Sequence, residues 1–351
     1  MESNSEPCLE RHFTGHSGDI TQICFSPSSN YLASSSLDSS VMIWDLQQAA
    51  RCIRFSGHTE KVHSVAWAQA CNLVVSSSES GLIKIWEPKI RGISKEFIAH
   101  SQPVRTVDFD PTGTLILTGS DDKSMKLWKA STKKFVASYT GHKNWIRSSK
   151  FNPAGNLIAS TGDDKHVKLF DVNKCVCISS FTEEKGSGKQ ISWHPDGNLV
   201  AVALTSNRIK IYDIRTESLI QLYQVHAGPV NSIAFHPSGN YILSGSDDET
   251  MKMLDLLEGR PLFTLTGHTQ KVTAVAFSSD GLQFASAGSD KQLLVWKSNL
   301  NASESSILEM TPSGANNNSF TEVLIDPKKK DVYGAQDENF HIEDIASQNE
   351  Y

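Results

Sequence analysis

The chain has 351 residues, of which 38% are hydrophobic and 21% are charged, and its formal net charge is −6. This composition is that of an ordinary soluble globular protein. The length allows two or three domains, or one large all-β body such as a sandwich, a barrel or a propeller. Residues 1–11 have neither the basic start nor the apolar core of a secretory signal, so we expect a cytoplasmic protein.

The same composition speaks against membrane-spanning and disulfide-rich proteins. The longest apolar run, Leu199–Leu204, is far shorter than the roughly 20 residues that cross a bilayer. Six cysteines are too few and too irregularly spaced for a disulfide framework, so we expect reduced thiols. Cys175 and Cys177 are expected on one strand, pointing the same way. The sequence places no second pair of ligands near them, so no metal site is predicted.

A repeat of constant length organises most of the chain. A fixed period of about 20–50 residues indicates an architecture such as a solenoid or a propeller. One histidine, usually preceded by glycine, recurs every 42 residues except where Glu184 replaces it: His16, His58, His100, His142, His226 and His268. A large residue that closes an apolar run recurs at the same spacing: Trp44, Trp86, Trp128, Phe170, Tyr212, Leu254 and Trp296.

Each repeat predicts four short strands. In the third repeat they cover residues 104–109, 115–118, 124–128 and 135–139, and turn-forming residues separate them. Helical periodicity is absent between residues 10 and 296. Seven such units with Gly-His and Trp-Asp marks resemble the WD40 family, which implies a β-propeller with one blade for each repeat.

The order of the strands predicts how the ring closes. The seventh repeat supplies only three strands, whereas residues 9–13 form a strand-like run just before the first Gly-His. We therefore expect an all-β, seven-bladed WD40 propeller whose N-terminal strand completes the last blade. The predicted organisation is a lead over residues 1–8, a propeller over residues 9–300, and a linker with an acidic tail over residues 301–351.

Histidine, serine or threonine, aspartate and tryptophan recur at fixed offsets, and the set superficially resembles a hydrolase triad. A catalytic triad occurs once, in a cleft and beside an oxyanion-stabilising group, whereas this chain repeats the set. The WD40 resemblance implies that these residues form structural hydrogen-bonded tetrads. The complete sets are His16, Ser34, Asp38 and Trp44; His100, Thr118, Asp122 and Trp128; and His268, Ser286, Asp290 and Trp296.

Departures from the tetrad pattern predict where the ring is weakest. Ser80 takes the aspartate position in the second repeat, and Phe170 and Leu254 replace tryptophan in the fourth and sixth repeats. The fifth repeat loses all four residue types. We therefore expect blade five to pack without a polar cross-link and to exchange its backbone amides fastest.

No catalytic or cofactor site is predicted. The Gly-Ser-Gly-Lys run at residues 186–189 lacks the other residues of a phosphate loop, and no helix is predicted after it. His194 and His236 each precede a proline, and we interpret them as turn residues rather than metal ligands. The repeats have little net positive charge, so nucleic acid is not an expected partner. Because no nucleophile and base stand out, no small-molecule substrate is expected either.

A protein partner is expected at the mouth of the central channel. Side chains three and five residues after each tetrad histidine leave the blade there, and Trp and Arg are enriched in binding hot spots. The alternative is that Asp121 and Asp163 pair with the cations and that Trp145 packs onto a neighbouring blade. The candidate binding residues are Lys61, His63, Arg105, Trp145, Arg147 and Lys189.

The last 51 residues differ from the repeats in composition and charge. Residues 301–319 are rich in Ser and Asn and are typical of a linker. Residues 301–351 contain 10 acidic and 3 basic residues, so the propeller itself is nearly neutral. We expect this acidic tail to be able to bind back on the basic mouth.

Several stretches go beyond the general WD40 pattern. Residues 9–13, 144–147, 223–226, 235–241 and 254–260 resemble the family of centriolar WD40 proteins called protein of centriole one. The resemblance implies a non-enzymatic scaffold of centrioles and basal bodies that binds centriolar or microtubule-wall proteins and supports cilium assembly. Family members carry a C-terminal coiled coil, but this tail shows no sustained heptads. The alternative is another WD40 adaptor, either a ubiquitin-ligase substrate receptor or a chromatin reader.

Overall fold

The computed structural model describes residues 6–48, 52–89, 94–300 and 321–323. These residues form strands joined by turns, and they include no helix. Accordingly, no helix in these ranges is long and apolar enough to cross a membrane. The strands are short because turn residues recur at fixed places. Ser39, Lys123 and Lys165, for example, occupy one repeat position and all adopt φ between 62° and 70°.

The blades are seven antiparallel sheets. Each contains four strands that follow one another in the chain, except that the last blade takes its fourth strand from the N-terminus. The strands of blades one to four are β2 (Ile20–Phe25), β3 (Tyr31–Ser36), β4 (Val41–Asp45) and β5 (Cys52–Phe55); β6 (Val62–Trp67), β7 (Val74–Ser78), β8 (Leu82–Trp86) and β9 (Ser94–Ile98); β10 (Val104–Phe109), β11 (Leu115–Ser120), β12 (Met125–Lys129) and β13 (Phe135–Tyr139); and β14 (Ile146–Phe151), β15 (Leu157–Gly162), β16 (His166–Asp171) and β17 (Val176–Thr182).

Blades five to seven continue the same order. Their strands are β18 (Gly188–Trp193), β19 (Leu199–Leu204), β20 (Ile209–Asp213) and β21 (Ser218–Tyr223); β22 (Val230–Phe235), β23 (Tyr241–Ser246), β24 (Thr250–Asp255) and β25 (Arg260–Thr266); and β26 (Val272–Phe277), β27 (Gln283–Gly288), β28 (Gln292–Lys297) and β1 (Cys8–Thr14). A short strand β29 (Thr321–Val323) adds in parallel to the outer edge of β25.

The ring closes through the N-terminal strand, which confirms the predicted propeller. β1 pairs antiparallel with β28, from Cys8 opposite Lys297 to Thr14 opposite Gln292. Phe13 of β1 is buried, and its ring lies 5.4 Å from the ring of Trp44 in blade one. The first and last blades therefore share a hydrophobic cluster instead of leaving an open sheet edge.

Neighbouring blades are held together by apolar clusters and by hydrogen bonds between their innermost strands. The cluster between blades three and four, for example, joins Leu117 to Ile146. Polar side chains at one repeat position of the inner strand accept a bond from a backbone N–H of the next blade. These bonds are Val107 N to Ser64 Oγ at 3.1 Å, Ile191 N to Ser148 Oγ at 3.2 Å, Ile233 N to Gln190 Oε1 at 2.7 Å and Val275 N to Ser232 Oγ at 2.9 Å.

Two details differ from expectation or extend it. Cys175 lies in the turn before β17 with a φ of 57°, so only Cys177 is a strand residue and the expected strand pair is wrong. All six cysteines are free thiols. Apart from residues 321–323, the tail lies outside the described residues, and so does its expected contact with the mouth.

Candidate functional site

The tetrad histidines and aspartates lie at one end of the propeller, which we call the top face. In blade one, His16 Nδ1 lies 2.9 Å from Asp38 Oδ2 and His16 Nε2 lies 2.7 Å from Ser34 Oγ. The Trp44 indole N–H donates to Ser34 Oγ at 2.8 Å. The same contacts join His100, Thr118, Asp122 and Trp128 in blade three, and His268, Ser286, Asp290 and Trp296 in blade seven.

Hydrogen-bond direction assigns a role to each tetrad group. An ionised aspartate only accepts, so the histidine carries its hydrogen on Nδ1 and accepts the serine hydroxyl at Nε2. The serine oxygen then accepts the indole N–H. Ser34, Thr118 and Ser286 are fully buried, so no substrate reaches their hydroxyls. The repeated set is therefore a structural cross-link between the strands of a blade.

The tetrad carboxylates are stabilised in their ionised form. Burial alone raises the pKa of Asp122, but hydrogen bonds from His100 and Ser124 outweigh it and lower that pKa to about 2. Burial opposes ionisation of Asp164 as well, yet hydrogen bonds from His142 and the Lys143 N–H lower its pKa to about 2. At neutral pH both groups are charged acceptors, as the direction of the tetrad chain requires.

Blade two lacks the carboxylate, as its sequence predicts. His58 Nε2 lies 2.7 Å from Ser76 Oγ, which also accepts the Trp86 indole N–H at 2.8 Å. The other ring nitrogen, His58 Nδ1, is buried and has no hydrogen-bond partner within the described residues. Burial, and then the positive charge of Lys84, lowers the pKa of His58 to about 3.

Blade five is cross-linked by a different polar set, so the expectation that it packs without one is wrong. The Tyr212 hydroxyl donates to Glu183 Oε1 at 2.5 Å, and Lys210 Nζ lies 2.7 Å from Glu183 Oε2. Glu183 occupies the glycine position of the Gly-His pair, where a Cβ on Gly15 would lie 3.0 Å from the Trp44 ring. Tyrosine is smaller than tryptophan, and the exchange leaves room for the glutamate side chain.

The cations expected at the mouth are mostly paired. Arg105 contacts both carboxylate oxygens of Asp121, with the shortest bond at 2.7 Å, and its guanidinium lies 3.0 Å from His63 Nε2. Arg147 donates to Asp163 at 2.5 and 2.9 Å. The alternative, in which Asp121 and Asp163 pair with the cations, is therefore correct for the two arginines.

The outer members of the same set are more exposed. Lys61 Nζ lies 3.7 Å from Glu79, and Lys189 Nζ donates to Asn231 Oδ1 at 3.2 Å. Burial, and then the charge of Arg105, lowers the pKa of His63 to about 4, so this ring is neutral at pH 7. The structure thus distributes the expected set around the mouth of blades two to five.

Trp145 is the exposed aromatic of the top face. It is 43% exposed, and the Arg147 guanidinium lies 5.1 Å from its ring centre, an Arg-on-Trp stack. Asp163 Oδ2 accepts hydrogen bonds from that guanidinium, and the Asp163 backbone N–H donates to the Trp145 carbonyl at 2.9 Å. The side chain therefore stands against its own blade and remains open to a partner.

The top loops also carry three exposed lysines that were not among the predicted site residues, Lys143, Lys165 and Lys185. They follow the histidine position of blade four, the aspartate of blade four and the histidine position of blade five. Each lysine directly follows a tetrad position, so the repeat spacing alone could have located it. Together with Trp145 they make the tops of blades four and five cationic and aromatic.

His194, His236 and the Gly-Ser-Gly-Lys run make structural contacts. Within the described ranges, no cluster of three His, Cys, Asp or Glu side chains could hold a metal ion. His194 Nε2 and His236 Nε2 instead lie 3.1 and 3.2 Å from the carbonyl oxygens of Gly239 and Gly281 in the next blade. At the Gly-Ser-Gly-Lys run, the Ser187 N–H donates to Thr205 Oγ1, and Gly188 begins a strand.

Comparisons with known proteins match the repeats. The family model described as "WD domain, G-beta repeat" matches residues 7–45, 50–87, 92–129, 133–171, 217–255 and 259–297. It passes over much of blade five, where the tetrad types are replaced. A second model, "Anaphase-promoting complex subunit 4 WD40 domain", matches residues 181–230.

Curated relatives share a shorter stretch. The "POC1 centriolar protein homolog" of Drosophila melanogaster is 64% identical over 50 residues, which is 14% of this chain and 13% of that protein. The "POC1 centriolar protein homolog A" of Xenopus tropicalis is 46% identical over 50 residues, which is 14% of this chain and 11% of the relative. The match thus spans about an eighth of the length of these relatives.

The fold and the family model both describe a chain of repeats that form the blades of a propeller. Seven four-stranded blades, the tetrads of the top face and the closing N-terminal strand form one ring. The repeat model covers more than half of the sequence. This protein belongs to the WD40 repeat family.

Proposed function

We propose that this WD40 propeller is a non-enzymatic protein-interaction scaffold that binds a protein through the mouth of its top face, around Trp145 and Arg147. The observation that supports it most is the exposed Trp145 ring stacked on an arginine that Asp163 holds in place. A side chain fixed before binding loses little conformational entropy on binding. The family matches indicate no enzyme.

We further propose a place for this scaffold in the cell. The relatives named POC1 centriolar protein homologs share 42–64% identity with this chain over about 50 residues, and the resemblance in residues 144–147, 235–241 and 254–260 supports the same family. On that basis the protein is a component of centrioles and basal bodies that supports centriole integrity and cilium assembly. Its partners are centriolar or microtubule-wall proteins, and its location is the cytoplasmic cytoskeleton.

Proximity labelling tests the binding surface. Trp145→Ala and Arg147→Glu are expected to lower the labelling of centriolar proteins at least tenfold while both variants stay folded, because neither side chain belongs to the buried core of a blade. Tyr31→Ala is the matched control, because Tyr31 is 41% exposed at the opposite end of the propeller. Unchanged labelling in both top-face variants would place the interface elsewhere.

A second candidate is an adaptor of another complex, either a ubiquitin-ligase substrate receptor or a chromatin reader. The match of residues 181–230 to the anaphase-promoting complex subunit 4 WD40 domain keeps this candidate open. The same labelling experiment separates the two. Enrichment of nuclear or ubiquitin-ligase proteins in place of centriolar proteins would favour the adaptor.

A further inference from the structure

Blades two and five lack the tetrad aspartate, and of these two only blade two keeps the tetrad histidine. In five other blades an aspartate oxygen lies 2.6–2.9 Å from the tetrad histidine Nδ1. These aspartates are Asp38, Asp122, Asp164, Asp248 and Asp290. Ser80 stands at this position in blade two, and its hydroxyl lies 2.8 Å from Ser78 Oγ instead. Blade two thus keeps the backbone position of the tetrad aspartate but has no acidic side chain there.

Donors that hold the carboxylate in other blades are retained in blade two. His58 Nδ1 is buried, and no hydrogen-bond partner for it exists among the described residues. The Thr59 backbone N–H is equivalent to the N–H groups of Ser17 and Lys143, which donate to Asp38 and Asp164 at 2.9 Å. When His58 carries its hydrogen on Nδ1, as the other tetrad histidines do, this buried donor lacks an acceptor, so an added acceptor stabilises the blade.

Space and charge at this position both suit a small anion. Serine is shorter than aspartate by one carbon and one oxygen, and Ser80 is exposed whereas Asp38 is partly buried. The Lys84 ammonium is close by, since a Cβ added to Gly57 would lie 2.8 Å from Lys84 Nζ. Lys84 is paired with Glu96 at 2.9 Å, and it still contributes positive charge beside His58.

We propose that the top of blade two binds a carboxylate, presented by an acidic side chain of a protein partner, that takes the place of the missing aspartate. The carboxylate accepts hydrogen bonds from His58 Nδ1–H and the Thr59 N–H. Lys61, three residues after His58, lies on the same loop at the mouth and extends the contact for an acidic peptide. The protein source of the carboxylate rests on the proposed function, whereas the site itself does not.

The site is tested on the full chain with acetate as the probe. Thermal unfolding is followed at pH 7 in sodium acetate and in sodium chloride of equal ionic strength. Acetate should raise the unfolding temperature in a saturable way, by about 1–3 °C. Ser80→Asp fills the position and should abolish the rise. Asp122→Ser creates the same vacancy in blade three and should enlarge the rise.

The source of the carboxylate is tested by the imidazole signals of His58 in nuclear magnetic resonance, assigned by their loss in His58→Gln. A capped Gly-Glu-Gly peptide should shift these signals, and its Gly-Gln-Gly counterpart should not. Equal unfolding temperatures in acetate and chloride, or an equal response of Ser80→Asp, would overturn the site. Acetate binding without a response to the glutamate peptide would overturn the side-chain source. Neither result depends on Trp145, so the site and the proposed interface fail separately.

Discussion

Replacing Asp122 by serine turns blade three into a copy of the blade-two arrangement. The variant removes the acceptor of His100 Nδ1, which lies 2.6 Å from Asp122 Oδ2. It also removes the acceptor of the Ser124 backbone N–H and hydroxyl, at 3.0 and 2.7 Å. The His100 ring stays buried, so its Nδ1 becomes an unpaired donor like that of His58.

The loss follows from the donor that is left without an acceptor. Leaving a buried donor unpaired costs about 1–3 kcal/mol. We therefore expect Asp122→Ser to lower the free energy of unfolding by about 1–3 kcal/mol. For a domain of this size, the unfolding temperature should then fall by about 2–8 °C.

Urea unfolding at pH 7, followed by tryptophan fluorescence, measures this loss. Because the pKa of Asp122 is lowered in the folded state, its contribution is complete above pH 4 and disappears as the pH falls through about 2. The difference in free energy of unfolding between the wild type and Asp122→Ser should therefore become smaller as the pH falls from 4 to about 2. Ser80→Asp is the reciprocal control and should raise stability. A loss below about 0.5 kcal/mol would refute a stabilising role for the tetrad.

Three further predictions concern other parts of the ring. Burial, and then Lys84, lowers the pKa of His58 to about 3, so the free energy of unfolding should fall as the pH drops from 6.5 to about 3, because the unfolded chain takes up a proton first. His58→Gln should reduce that slope, to which His63 also contributes, and an unchanged slope would contradict the assignment. Glu183→Ala leaves Lys210 unpaired and should lower the free energy of unfolding by about 3–5 kcal/mol. The neighbouring exposed Glu184→Ala should change it by less than about 0.5 kcal/mol, and equal effects would refute the blade-five cross-link. Deleting residues 1–14 removes β1 from β28 and should clearly lower the unfolding temperature, whereas an unchanged melting curve would rule out this closure.

The architecture could be predicted because the same 42-residue pattern recurs along the chain. The expected strands of the third repeat differ from β10 to β13 by two residues at most. The closing strand was predictable from a count, because the seventh repeat has three strands and residues 9–13 supply a fourth. Turn residues and β-branched runs act locally, and such signals survive without knowledge of tertiary contacts.

The blade-five cross-link could not be predicted from the repeat positions. Glu183 stands one residue before the expected histidine, at a position that is glycine in most blades. Its role depends on the smaller Tyr212 ring and on Lys210, which lies 27 residues away in the chain. At the four tetrad positions blade five only loses the expected residue types. The residues that replace the cross-link, Glu183 and Lys210, lie outside those positions.

At the mouth, pairing was easier to predict than exposure. Asp121 and Asp163 stand at fixed offsets from Arg105 and Arg147, so the ion pairs were foreseeable as an alternative. The orientation of Trp145 was not foreseeable. A tryptophan just before a strand can pack onto the next blade or onto an arginine of the same blade. Which of the two occurs depends on backbone geometry that the repeat pattern does not reveal.

The most direct test of the account is the imaging of the tagged full-length chain in ciliated cells with a centriolar marker. The wild type and Tyr31→Ala are expected to form foci on centrioles and basal bodies, and Trp145→Ala is expected to lose at least nine-tenths of that focal signal at equal expression. Wild-type signal that is diffuse or nuclear would contradict the centriolar scaffold. Foci that persist unchanged in Trp145→Ala would contradict the top-face interface.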